Sequence, residues 1–477
     1  MPLRGSPPFV VLGGGPCGLA AAWHLARGGH KPIVLERESL VGGLCATHAK
    51  NGWRFDLGGH RFVSSDQALT QWIEQMLGDD LLTQERRSVV LHDGRRFRYP
   101  LEAVDLLRSL GPEEGVRALA GYAAARFRRR MRPRGDVTFE DWVTDRFGVP
   151  LYEAFFGPYT QKLWGLSPRA ISADWAAERI SLLSLGDAAL RLTGLRRSLI
   201  RTYARRYRYP RHGMGQLYEA IAREVERNGG EVVTSARVVG LEKKGARVVA
   251  VNVETAGGPR QIPVGELLST IPLPELARAL DPSPTSSLDR TMRALRFRAL
   301  RFLNLMLRRP DFSENTWMYV ASGALKMSRI QEPKRRSLAM APPGTTSIML
   351  EIPCDVGDRI WEAPLASLRS EFERELRALG FRVDDVVDAF SVRVEHGYPV
   401  YHLGYDRDRK DLLGVVERFV NVRTAGRQGL FRYVFMDAAM SMGVHAAEEM
   451  LAGTRSIEAV DAIGRARSVI EAQALTA

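Results

Sequence analysis

The chain has 477 residues, 45% apolar and 26% charged, enough for two or three domains with buried cores, which excludes intrinsic disorder for its bulk. Its three cysteines, Cys17, Cys45 and Cys354, close at most one disulfide and show no Cys/His ligand spacing; they argue against a disulfide scaffold and a bound metal, and for a reducing compartment. No run reaches the roughly 18 to 20 uninterrupted apolar residues of a membrane span, and glycines break the apolar stretch 8–22, so a cytoplasmic protein is expected.

In chain order, 9–12 reads as a short β-branched strand, 13–18 as a glycine turn, 19–27 as a helix and 32–35 as a second strand closed by Glu36. This is a βαβ opening. Gly13-x-Gly15-x-x-Gly18 supplies a dinucleotide fingerprint: Gly13 permits the tight turn, Gly15 lets the backbone approach a pyrophosphate, and Gly18 lets helix and strand pack closely. The helix N-terminus offers N–H groups and a positive dipole end to the phosphates. Glu36, at the strand end, is placed to accept from a ribose hydroxyl. A second pair, Gly42-Gly43, follows.

Gly213-Met214-Gly215 precedes a helix with Leu217, Ile221 and Val225 on one face, capped by Asn228-Gly229-Gly230 and followed by a strand at 231–234. Val233 on that strand is expected among the cofactor contacts. Residues 267–271 read as a strand, and Gly426-Arg427, Met436-Asp437 and Gly443 lie ahead of a last helix. The first of two long insertions looks helical and basic; the second alternates like strands at 302–307 and 347–352. The expected architecture is α/β. A Rossmann-type domain (1–65, 209–280 and 395–477) is interrupted by an α+β substrate domain (66–208 and 281–394).

The 68 Lys and Arg against 55 Asp and Glu give a formal charge of +13. Much of the excess is local: Arg126, Arg128, Arg129, Arg130, Arg132 and Arg134 form one cluster, and Arg191 to Arg211 contains another. A solvated basic face and a helix lying on anionic lipid are both compatible with this pattern. Nucleic acid is not expected, because no recognition motif accompanies the charge.

Together the glycine fingerprint, Glu36, Gly42-Gly43, the Gly213-Met214-Gly215-x-Leu217 return and Gly426-Arg427 resemble the FAD-dependent superfamily of flavin amine oxidases, protoporphyrinogen oxidases and phytoene desaturases. The resemblance implies a two-domain flavoenzyme with FAD extended through the first (GR2-type) domain, and noncovalent flavin, since no attachment motif is present. Within it, Tyr159-Thr160-Gln161-Lys162-Leu163-Trp164-Gly165, Gly58-Gly59-His60, Ser328-Arg329-Ile330-Gln331-Glu332 and Gly426-Arg427 to Tyr433 and Asp437 resemble segments of UDP-galactopyranose mutases. That likeness implies Trp164 in the pocket wall, His60 beside the flavin, and Arg329, Arg427 and Tyr433 near phosphate or flavin.

The expected catalytic residues are therefore His60, Trp164, Arg329 and Tyr433. The expected cofactor residues are Gly13, Gly15, Gly18, Glu36, Gly42, Gly43, Gly59, Val233, Gly426, Arg427 and Asp437. Plainer alternatives are a structural histidine for His60, a core tryptophan for Trp164 and, for Arg329, a surface strip with Lys326, Lys334, Arg335 and Arg336; Tyr398 to Tyr401 reads either as the back wall of the pocket or as an ordinary strand edge. The expected activity is hydride removal from a bulky anionic substrate, small or lipid-linked, with peripheral contact to an anionic membrane. A non-redox flavoenzyme acting on a sugar nucleotide or lipid-linked sugar, and a non-catalytic flavin scaffold at such a membrane, are the alternatives. Oligomeric state is left unassigned.

Overall fold

The computed structural model describes residues 8–99, 111–131, 135, 137–179 and 206–466. Arg132 and Arg134, and the basic positions from Arg191 to Arg205, lie outside these residues.

A five-stranded parallel sheet is ordered Val422–Thr424, Glu266–Ser269, Phe9–Leu12, Ile33–Leu35, Glu231–Val233. Its strands are short and apolar because both faces are covered, and Val10, Val11 and Leu12 are fully buried. Phe9–Leu12 pairs with Ile33–Leu35 on one side and Glu266–Ser269 on the other, so the chain reverses its direction of winding at Gly13. The following helix is Pro16–Arg27, three residues longer than expected. Pro16 occupies its first position, where a proline forfeits no helical hydrogen bond. The helix packs between Gly215–Arg227 and Met436–Ala452.

Helix Gly215–Arg227 buries Leu217, Tyr218, Ile221 and Val225 completely, each worth about 1.5–3 kcal/mol relative to exposure. Its preceding turn is anchored by the buried carboxylate of Asp56, which accepts from Met214 N at 3.0 Å, Thr47 Oγ1 at 2.7 Å and Tyr209 OH at 2.6 Å. Gly213 and Gly215 are thus packing positions against Thr47 and Asp56, not a ligand-facing loop. Gly443 lies inside helix Met436–Ala452 rather than ahead of it, against the Cys17 carbonyl.

The two insertions meet in one seven-stranded sheet ordered Val386–Pro399, Phe297–Leu307, Thr346–Cys354, Arg329–Gln331, Trp317–Val320, Ser88–His92, Arg95–Arg98. Pairing is antiparallel except between Trp317–Val320 and Ser88–His92. Strand Val386–Pro399 runs through the expected boundary at 394/395, and strand Arg206–Pro210, paired with Leu81–Glu85, runs through that at 208/209. Helices Pro112–Met131, Phe139–Phe147, Gly157–Trp164 and Ala173–Arg179 form a layer from the first insertion. Phe139–Phe147 begins in a capping box between Thr138 and Asp141. Among the described residues no helix is long and apolar enough to cross a membrane.

Candidate active site

A cavity of about 640 Å³ lies between the C-terminal edge of the parallel sheet and the seven-stranded sheet. From the parallel-sheet side it is lined by Gly13, Gly15, Glu36, Gly43, Gly426, Arg427 and Asp437. Gly59, His60, Arg329, Tyr398 and Tyr433 also line it, so segments remote in sequence converge on one space.

At Gly15 an added Cβ would meet only Gly43 Cα, at 4.0 Å, which leaves open room over the N-terminus of helix Pro16–Arg27. Gly18 behaves oppositely. A Cβ there would run into the Gly13 carbonyl oxygen and lie 3.1 Å from Val11 Cγ1, so this glycine serves helix–strand contact and does not line the cavity. Glu36 Oε2 accepts from Gly14 N at 2.7 Å and Oε1 from Glu38 N at 2.9 Å. Burial nevertheless pushes its carboxyl above the ordinary range, outweighing these two bonds.

Gly42 and Val233 sit behind the lining: Gly42 N donates to Gly14 O at 2.8 Å, and Val233 O accepts from Glu36 N at 2.9 Å. Gly42 thus braces the glycine turn, and Val233 positions Glu36, through backbone bonds. Asp437 is fully buried in the first turn of helix Met436–Ala452. Arg427 donates to Val434 O at 2.7 Å and lies 4.2 Å from the Tyr433 ring centroid. Tyr433 stacks on Tyr398 with centroids 5.7 Å apart.

Arg329 pairs with Glu351 at 3.1 Å, and Tyr398 OH donates to Glu351 at 2.8 Å. Glu351 is fully buried. Burial is the strongest influence on Arg329 and opposes its charge, but Glu351, Tyr398, Tyr159 and Tyr319 together outweigh it and hold the pKa well above its ordinary value. The surface-strip alternative for Arg329 is thereby removed: its register partner Glu351 sits on the neighbouring strand of the central sheet.

His60 is pulled down to about 3, first by burial and then by Arg427, Arg336 and Arg329, so it is neutral near pH 7. Trp164 departs from expectation. It is 2% exposed and outside the lining, packed edge-on against Trp175 at 4.6 Å and Tyr398 at 5.9 Å. Helix Gly157–Trp164 turns its indole into a core behind Tyr398, so it supports the wall instead of forming it.

Sequence reading missed Glu351, Arg61, Arg86, Trp317 and Tyr319. Glu351 had a signal, a lone carboxylate inside the fully buried run Thr346–Cys354. The other four, all in the lining, acquire meaning only when Trp317–Val320 pairs with Ser88–His92.

Room above Gly15, a helix N-terminus aimed at it and a strand-end carboxylate fit a dinucleotide, and the fold and site define a dinucleotide-binding scaffold. Residues 16–451 match the family of flavin-containing amine oxidoreductases, and the chain belongs to that family, whose cofactor is FAD. Gly13, Gly15 and the helix N-terminus would hold its pyrophosphate, and Glu36 its ribose. Among curated relatives, protoporphyrinogen oxidase 1 of Arabidopsis thaliana is 28% identical over 181 residues, 36% of this chain and 33% of its own. Phytoene desaturase (lycopene-forming) of Pantoea ananas is 25% identical over 264 residues, 52% of each. The matches thus span about half or less of these relatives. Among solved structures, reduced UDP-galactopyranose mutase superposes with a TM-score of 0.80 at 21% identity, covering 96% of this chain and 97% of that one. Putrescine oxidase bound to putrescine gives 0.60 at 17%, covering 94% and 99%. At these identities both show the fold.

Proposed function

We propose that the protein is an FAD-dependent oxidoreductase that takes a hydride from a C–H bond, on a carbon skeleton or alpha to an amine nitrogen, of a bulky, anionic substrate. The observation that supports this most is the union, in one cavity, of the nucleotide turn at Gly13–Gly15 with the wall formed by Arg329, Tyr398 and Tyr433. When bound, FAD supplies the two-electron acceptor for the hydride. The chain binds and orients. Arg329, kept charged by Glu351, presents a planar fork to a phosphate or carboxylate. Tyr398 and Tyr433 give the substrate a stacked aromatic face. His60, neutral at pH 7, offers a ring nitrogen without adding charge, and its buried Nδ1 has no hydrogen-bond partner.

A second reading, a non-redox flavoenzyme acting on a sugar nucleotide or lipid-linked sugar, is favoured by the whole-chain likeness to the reduced mutase and by Arg329 and Tyr433 sharing the cavity. Peripheral contact with anionic lipid belongs to the same proposal. Helix Pro112–Met131 ends in Arg126, Arg128, Arg129 and Arg130 beside the exposed Phe127 and Met131. Anaerobic mixing of holoprotein with amine, porphyrinogen and polyene acids tests the first reading: the flavin is expected to bleach with its substrate. Failure with all of them, beside turnover of UDP-sugars after dithionite reduction, would replace it with the second.

A further inference from the structure

Arg329 shares its side of the cavity with two other guanidinium groups. Arg61, in the loop after strand Trp53–Asp56, and Arg86, just before strand Ser88–His92, also line it. Both stack on one indole, their Cζ atoms 5.2 Å and 5.5 Å from the Trp317 ring centroid. Arg86 is also 4.6 Å from the Tyr99 ring, and Arg329 is 5.3 Å from Tyr319. Sheet register brings them together: Trp317 lies opposite Ser88, and Tyr319 opposite Arg329.

Arg86, Trp317 and Arg329 carry hydrogen-bond donors that the protein leaves unmet. Arg86 Nε and Nη2, Trp317 Nε1 and Arg329 Nε are all buried without a hydrogen-bond partner. Each can only donate. The carboxylates that line the cavity are engaged elsewhere. Glu36 accepts from Gly14, Glu38 pairs with Arg37, Glu275 with His396 and Glu395 with Arg37, while Asp437 sits in the first turn of helix Met436–Ala452. Glu351, behind the wall, is taken by Arg329 and Tyr398. Buried donors normally find acceptors, so four left unmet along one cavity wall match a ligand that brings acceptors alone. An oxyanion is such a ligand, and guanidinium planes fixed by stacking meet it with little entropy to lose.

We propose that Arg86, with Arg61 and Arg329 around Trp317, forms an oxyanion site distinct from the nucleotide turn and takes a phosphate or carboxylate group of the substrate. The assignment rests on the reading of an anionic substrate and names the residues that meet its charge.

The experiment is calorimetric titration of flavin-loaded protein with inorganic pyrophosphate and, separately, with succinate. Wild type is expected to bind one of them at one equivalent per chain. Tighter pyrophosphate assigns a phosphate group and tighter succinate a carboxylate. Arg86→Gln, with flavin content equal to wild type, is expected to weaken binding about tenfold or more, with Arg86→Lys in between. Should Arg86→Gln fail to fold, Arg61→Gln serves in its place. Arg237→Gln, at a lining position already paired with Glu254, is expected to bind like wild type. No binding of either anion, or unchanged affinity in the folded Gln variant, overturns the site. Anion binding through Arg86 in a protein that no reductant substrate bleaches would instead remove the oxidoreductase reading and leave this site standing.

Discussion

Replacing Gly15 by valine separates cofactor binding from folding. The residue sits at φ −80° and ψ −176°, extended values that valine adopts without strain, and its Cβ would meet only Gly43 Cα at 4.0 Å. Folding stability is therefore expected to change by no more than about 1 kcal/mol. The two methyl groups would stand over the N-terminus of helix Pro16–Arg27, where the pyrophosphate belongs. Forcing atoms into a filled space costs about 1–3 kcal/mol, and losing a charge-assisted contact adds about 1.5–3 kcal/mol. The sum corresponds to flavin binding weaker by roughly a hundredfold or more. The assay is the ratio of flavin to protein absorbance after purification, read beside circular dichroism and a thermal melt. A colourless, folded protein is expected. A yellow variant with wild-type flavin stoichiometry would refute the placement of the cofactor. Gly18→Val should fail differently, by losing the fold itself, because its Cβ meets the Gly13 carbonyl and Val11.

Glu351→Ala strands the partly buried Arg329 and is expected to cost about 3–5 kcal/mol in urea unfolding, with Arg329→Met added to it recovering most of the loss; a single variant with the wild-type midpoint would contradict the pairing. His60 stands at about 3 in the fold against 6.5 unfolded, so between these values the unfolded chain takes up a proton that the folded chain refuses. Stability then falls as pH drops from 6.5 toward 3 and is unaffected by this group above 6.5. His60→Gln should flatten the acid side of the melting curve against pH, and parallel slopes would show that His60 is not held neutral. Sedimentation with vesicles rich in anionic lipid is expected for wild type and lost when Arg128, Arg129 and Arg130 become Glu; equal sedimentation would exclude helix Pro112–Met131 as the contact.

The nucleotide half was legible because its determinants are local. Gly13, Gly15, Gly18 and Glu36 lie within one βαβ unit, and their spacing alone sets the turn, the helix N-terminus and the strand end. The opposite wall was legible only in fragments. Arg329 and Tyr433 came from a likeness of short segments, but whether Arg329 lay at the surface depended on Glu351, joined to it by strand pairing. Trp164 shows the limit of such likeness: the residue was found, but the direction of its side chain follows from packing of Gly157–Trp164 against Trp175 and Tyr398. Arg61, Arg86 and Trp317 were illegible because their meeting requires the parallel pairing of strands more than 200 residues apart. Strand Val386–Pro399 crosses an expected domain boundary because its ladder with Phe297–Leu307 resumes at Arg298–Tyr398 beyond a bulge at 395–397, so one strand carries both sides of that boundary.

The central claim is that the cavity above Gly15 holds FAD without a covalent link. Acid precipitation of the purified protein, followed by chromatography of the supernatant, tests it most directly. The account predicts a yellow supernatant containing FAD at about one per chain. Flavin retained in the pellet would contradict the noncovalent assignment, and a protein that neither carries nor takes up FAD would contradict the site itself.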